Sequence, residues 1–283
     1  MVLNPALQCI FSESTRRAVS CRPTTKRLKL LLIDNKYMTR KIEEVLRIDD
    51  GDSIEDVIKK MEELREFLRE NNYSSLLPFL EAYIRITRDV KKSADRGEFD
   101  DPEALEELDK EFAELYFEPM RKYLVEGEQT SPWENYFKYI ERSDSIPLVE
   151  LLLGINSHIN ADLATALHRT SYSQKKDFFR VNEILEENLA PVLKYLALQH
   201  TDVASLGAFG FRPFAWKGLE KITDWRTLTW ENAKAENFSI EEIRRETESN
   251  SRRMFELVHR TDLHGILRKP DQYLSSEVKL NSA

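Results

Sequence analysis

From residue 54 onward, apolar residues recur every third or fourth position in long runs, and no alternating apolar–polar run extends beyond a few residues. That period is the one a helix needs to bury one face, whereas strands need a period of two. The expected fold is all-α, a single-domain bundle of about eight helices. Ile54, Val57, Ile58, Met61, Leu64 and Leu68 make the first stripe, and Ser53 ahead of Glu55 and Asp56 is a helix-start signature. Leu76, Phe79, Leu80, Tyr83, Ile84, Thr87 and Val90 make the second, ending in a basic turn and Gly97. Asp101-Pro102 supplies a cap and first-turn proline for Leu105, Leu108, Phe112, Leu115, Tyr116 and Met120. Ser131-Pro132-Trp133-Glu134 reads as a capping box opening a short helix to about Glu141, and 146–169 reads as one helix. The stripe from Phe178 to Leu196 contains Pro191, expected to kink it. Residues 201–220 read as an irregular aromatic stretch, in which Phe209 to Phe214 is a lid candidate that more plainly serves to glue rings onto the core. A helix with Trp225, Leu228 and Trp230 comes next, and Ser239 caps a last one through Val258.

Eight glycines and ten prolines in 283 residues, with 33% charged residues, suit helices joined by short connections. Charge is unevenly spread: residues 1–40 carry eight basic side chains against Glu13 and Asp34, so a chain of net −8 has −14 beyond residue 40. An acidic body repels phosphate backbones, which excludes nucleic acid as the expected partner. Both cysteines, Cys9 and Cys21, fall in the N-terminal arm, which fits a cytoplasmic protein without a disulfide framework. Arg16-Arg17 and Ala18-Val19-Ser20-Cys21 resemble pieces of export signals but lack the apolar run such signals need. No stretch approaches the roughly 18 apolar residues of a membrane span, so no membrane association is expected. The expected organisation is a poorly ordered basic arm over 1–50, with Met38 a candidate true start, a helical domain over 51–268, and a polar tail over 269–283.

The most apolar segment holds the most unusual polar residues. In Gly154-Ile155-Asn156-Ser157-His158-Ile159-Asn160-Ala161-Asp162-Leu163, helical spacing puts His158 and Asp162 on one face with Leu151, Gly154, Ile155, Thr165 and Arg169. Asn156 and Asn160 fall on the opposite face. A mid-helix glycine costs about 1 kcal/mol relative to alanine, so something is expected to approach Gly154 closely. Asp109 interrupts the stripe of its helix, Asn182 interrupts another, and Arg65, Thr87 and Asn250 are similarly placed. Helices around a common core must aim these groups inward, which predicts one interior cluster of His158, Asp162, Asp109 and Asn182. Such a cluster is either a satisfied packing network or a site where a carboxylate-oriented imidazole acts as base or metal ligand. His158 and Asp162 are one turn apart and Asp109 could supply a third ligand, a weak metal signal without the Glu-x-x-His pairs of helical di-metal sites. The sequence has no glycine-rich phosphate loop, no G-x-S-x-G elbow and no C-x-x-C, and it names no cofactor.

The chain resembles domain-of-unknown-function family 5995 over about residues 54–235. The resemblance rests on Phe99-Asp100-Asp101-Pro102-Glu103 with Leu108-Asp109 and Phe112 to Phe117, on Gly154 to Leu167, and on Asp177 to Leu185. It implies a mostly helical soluble protein of bacteria or archaea and carries no activity. The family's signature positions include Asp109, His158, Asp162 and Asn182. Ala164 stands where the family usually has proline, which should straighten the helix.

The leading expectation is a protein with an interior small-molecule site, a binding protein or an enzyme. His158 would be its working group, Asp162 would fix the His158 tautomer, and Asp109 would face it. Asn156, Asn160 and Asn182 would bind substrate or support the shell. The rival expectation is a non-enzymatic protein-interaction module whose polar core is purely structural.

Overall fold

In the computed structural model, which describes residues 39–199 and 212–260, the apolar stripes that begin at Ile54, Leu76 and Leu105 have become the buried faces of helices. The helices are α1 (Ile54–Glu70), α2 (Leu77–Asp95), α3 (Pro102–Arg121), α4 (Glu134–Ile140), α5 (Pro147–Ser157), α6 (Leu163–Arg169), α7 (Lys175–Gln199), α8 (Arg212–Ala233) and α9 (Ile240–Arg260). No strand occurs among the described residues. Val57, Met61, Leu64 and Leu68 of α1 share one core cluster with Phe79, Leu80 and Ile84 of α2 and Tyr116, Phe117 and Met120 of α3. Full burial of each such side chain contributes roughly 1.5–3 kcal/mol. Trp133, Tyr136 and Phe137, also fully buried, close the cluster beneath the start of α4.

The start signals act as their chemistry requires. Ser53 and Asp56 form a reciprocal capping box on α1, Asp101 accepts from the Ala104 amide at the start of α3, and the Ser239 hydroxyl accepts from the Glu242 amide before α9. Asp177 is buried and its two carboxylate oxygens accept from the Asp100 and Asp101 amides at 2.9 and 2.8 Å. The start of α7 thereby pins the loop that begins α3.

Four expectations shift. Residues 39–45 are helical, and Ile42, Val45 and Leu46 are buried in the main core, so the folded unit reaches upstream of residue 51. Ser131 does not cap α4, which begins at Glu134 with no side-chain cap. Trp133 instead turns its indole into the core and the Pro132 carbonyl accepts from Ser157, which holds this stretch outside the helix. The segment 146–169 is not one regular helix: α5 passes into a π-helical turn over His158–Asp162 before α6 resumes, so the straightening expected from Ala164 does not extend into that turn. The stretch expected to be irregular is helical from Arg212 onward; Phe209 to Phe211 of the lid candidate and the tail from 269 fall outside the described residues.

The close approach at Gly154 is made by Phe79 of α2. A methyl group on Gly154 would lie 2.6 Å from the Phe79 Cγ, inside contact distance. Phe79 is buried and its ring also meets the His158 ring edge-on, at 5.4 Å between centroids. Gly154→Ala is therefore expected to lower stability by about 1–3 kcal/mol, although helix propensity alone would raise it by about 1 kcal/mol. Urea denaturation of the two proteins reads this directly, and an equal or higher midpoint for the variant would contradict the packing described.

Candidate functional site

The π-helical turn adds a residue to one turn of an otherwise buried helix, and such turns occur often at functional sites. Its wider spacing changes the hydrogen bonding: the Leu163 amide reaches back to the His158 carbonyl, the Thr229 hydroxyl of α8 donates to the Ile159 carbonyl at 3.1 Å, and the Thr165 hydroxyl donates to the Ala161 carbonyl. The extra residue also rotates α6 relative to α5. Thr165 and Arg169, expected on the His158 stripe, respectively bond back to the π-helical turn and pair with Glu111 on the surface.

His158 and Asp162 stay together. The His158 Nδ1 lies 3.1 Å from Asp162 Oδ2, and the same oxygen accepts from the Trp133 indole N–H at 2.9 Å. Accepting that N–H marks Oδ2 as the acceptor oxygen of the carboxyl group, which favours the shared proton on Nδ1 and leaves Nε2 with a lone pair. Aromatic rings enclose the imidazole: Phe112 stacks on it at 3.6 Å between centroids, and Tyr83 meets it at 4.5 Å. Without water to solvate charge, burial holds the Asp162 carboxyl well above the usual carboxylate range and the His158 ring well below the usual imidazole value. Both groups are driven toward their neutral forms.

Beside this pair lies a cavity of about 130 Å³ between α2, α3, the π-helical turn, α7 and α8. Its wall is mainly aliphatic and aromatic, with Ile86, Leu108, Phe112, Ile155, Phe178 and Leu185 among its members. Four polar residues reach it: Tyr83, Asp109, His158 and Arg226, with Thr87 as a fifth, hydroxyl-bearing member. The His158 Nε2, the Asp109 Oδ2 and the Tyr83 hydroxyl are all buried with no hydrogen-bond partner. The Asp109 residue is part-exposed while that oxygen is not. Burial, reinforced by the negative charge of Glu106, raises the Asp109 carboxyl to about 7.

Asp109 and His158 thus meet at one cavity, with Asp162 behind the imidazole. Asn182 is buried but does not line the cavity; its Oδ1 accepts from the Arg226 Nε–H. Asn156 and Asn160 sit on the other side of the motif helix. Asn156 donates to the Thr247 carbonyl and to the Ser251 hydroxyl, each at 2.9 Å, and accepts from Asn160. Those bonds tie α5 to α9, and neither asparagine touches the cavity. Among the described residues no three histidine, cysteine or acidic side chains are grouped as a metal-ligand set, and Asp162 Oδ2 is already engaged by two N–H groups.

Two site residues escape the stripe reading. In sequence Trp133 reads only as part of a capping box, although a buried indole must place its N–H somewhere. Arg226 is obscured because Trp225, Leu228 and Trp230 draw attention to another face. The buried face of α8 is Ile222, Arg226, Thr229 and Ala233, while Leu228 is 46% exposed. The spacing of those four residues is the signal that could have found it.

A family model described as "Family of unknown function (DUF5995)" matches residues 54–261. No curated protein and no solved structure matches the chain. No helix among the described residues is long and apolar enough to cross a membrane.

Asp109 makes stability depend on pH in a definite direction. Its carboxyl is raised from 3.8 to about 7 on folding, so between those values the folded protein holds a proton that the unfolded chain has released. Stability is greatest at acid pH for this group and declines as pH rises to about 7, by about 4 kcal/mol in all. Asp109→Asn, which mimics the protonated acid, is expected to remove that decline. Chemical denaturation between about pH 4.5 and 8 should show the variant gaining on the wild-type protein as pH rises and holding its lead above about 7. A constant difference across that range would place the Asp109 carboxyl in water.

Proposed function

Because the chain belongs to DUF5995, a family of unknown function, its role has to rest on its own side chains, and we propose that the cavity beside His158 is a small-molecule site equipped for acid–base chemistry. One observation carries this reading: a base, an acid and a hydroxyl, each with one buried polar atom that has no partner, line the same apolar cavity. Leaving a buried polar group unpaired costs about 1–3 kcal/mol, so three on one small cavity are a sustained cost that a bound ligand would offset.

The roles derive from the environments. Asp109, with its carboxyl raised to about 7, is the group that gains and loses a proton near neutrality. His158, held neutral by its aromatic enclosure, offers the Nε2 lone pair to a ligand proton, and Asp162 fixes the ring orientation from behind. Tyr83 keeps its proton, because burial and then the Asp109 and Asp162 carboxyls push its hydroxyl well above 10, and so it can donate. Asn156 and Asn160 serve packing in this reading, since their hydrogen bonds are directed to α9 and to each other. The acidic charge beyond residue 40 argues against nucleic acid, and a body free of cysteine from residue 22 onward supports a cytoplasmic setting.

A cavity of this order holds a benzene-sized molecule. Native mass spectrometry of protein purified without chelator, joined to ligand-observed NMR with apolar fragments of up to about ten heavy atoms, tests the reading. The expected result is a retained small organic mass or fragment binding. Binding should change across about pH 7 in the wild-type protein but not in Asp109→Asn, and Ala82→Leu, which fills the cavity, should weaken it at least about tenfold. No retained mass and no fragment binding, with Ala82→Leu simply more stable, would make the cavity a packing void and the polar cluster structural.

A further inference from the structure

The charge balance of the cavity is incomplete. Arg226 is only 5% exposed, lines the cavity, and is the one cationic side chain among its described lining residues. Its Nε–H donates to Asn182 and its guanidinium lies over the Phe178 ring, 4.8 Å from the centroid. Among the described residues no carboxylate pairs with it, and its other N–H groups have no acceptor there. A buried guanidinium without a counter-charge is costly, and proteins seldom keep one unless an anion arrives from outside.

From this geometry we infer that Arg226 anchors the negative head of the ligand, and that the ligand is a small monocarboxylate with an apolar body; this rests on the small-molecule reading of the cavity. The bond to Asn182 and the Phe178 face fix the guanidinium plane, so the remaining donors form a preset fork for the two oxygens of one carboxylate. The rest of the wall is aliphatic and aromatic and suits a hydrocarbon body. A single negative charge is favoured over a phosphate dianion, because among the described lining residues Arg226 is the one cation and the Asp109 carboxyl shares the space. Asp109 and His158 then face the part of the ligand beyond its head, where a proton can be exchanged. The positive charge of Arg226 already adds to the depression of the His158 ring, which places the two groups within electrostatic reach.

Binding of hexanoate and benzoate, set against hexanol and benzyl alcohol, distinguishes the cases by calorimetry or NMR titration at about pH 6, where the Asp109 carboxyl is mostly protonated and the ligand carboxylates are ionised, with inorganic phosphate as a further probe. Both carboxylates are expected to bind the wild-type protein at least about tenfold more tightly than their alcohols. Arg226→Gln should erase that preference while leaving alcohol binding in place, and Arg226→Lys should retain only part of it. If Arg226→Gln fails to fold, the carboxylate-to-alcohol ratio of the wild-type protein decides alone. Alcohols binding as well as carboxylates would overturn the anion site while preserving the small-molecule reading. Phosphate displacing the carboxylates would overturn the choice of head group. Binding of neither series would remove both this inference and the reading beneath it.

Discussion

Everything around the site depends on the Asp162 carboxyl having somewhere to be. It is buried among aromatic rings with the Trp133 N–H and the His158 Nδ1 on one oxygen. Those two contacts join the stretch before α4 to the π-helical turn, and through the imidazole they set the positions of Phe112, Tyr83 and Phe79. A buried carboxyl that lost either partner would be far more costly to bury than the hydrogen bond itself is favourable. The aromatic enclosure, the glycine that lets Phe79 approach, and the open lone pair on Nε2 are consequences of satisfying this one group.

The two faces of the same turn are treated differently. On the α9 side, Asn156 has its amide and its carbonyl oxygen engaged, and Thr247, Ser251 and Asn160 complete a network that packs two helices. On the cavity side, His158, Asp109 and Tyr83 each leave a buried polar atom open. Four other buried side-chain atoms among the described residues are also unpaired, on Glu81, Tyr116, Tyr136 and Tyr172, but none of these residues lines the cavity. What separates the cavity is convergence of chemistry: an acid, a base, a hydroxyl and an unmatched cation within one small volume.

How much of this is legible in the sequence depends on the physics of hydropathy. Stripes such as Ile54-Val57-Ile58-Met61 announce a helix and its buried face together, so α1, α2 and α3 are readable almost to their ends. Polar intruders in such stripes, Asp109 and His158 above all, are readable for the same reason: an apolar background makes them visible. The π-helical turn is not readable, because one extra residue leaves no mark on composition and appears only when tertiary contacts take up the altered carbonyls, as Thr229 does for Ile159. Arg226 is hidden by the converse problem. In Ile222, Arg226, Thr229 and Ala233 the buried stripe is itself half polar, so a search for apolar periodicity settles on the neighbouring tryptophans.

The energetic scale favours function over chance on the cavity side. A domain of this kind is stable by only about 5–15 kcal/mol, and each open polar atom takes about 1–3 kcal/mol of that. Replacing Asp109 by leucine would extend the apolar wall that already surrounds it without breaking a hydrogen bond of its buried Oδ2, whereas Arg226 is held to α7 through Asn182 and Phe178. A core under no demand but stability tends toward apolar residues, and the buried face of α1 consists of them. An acid, a base and a cation are retained around one apolar-walled cavity, next to a face of the same helix where Asn156 and its neighbours are paired. That contrast points to a demand other than packing.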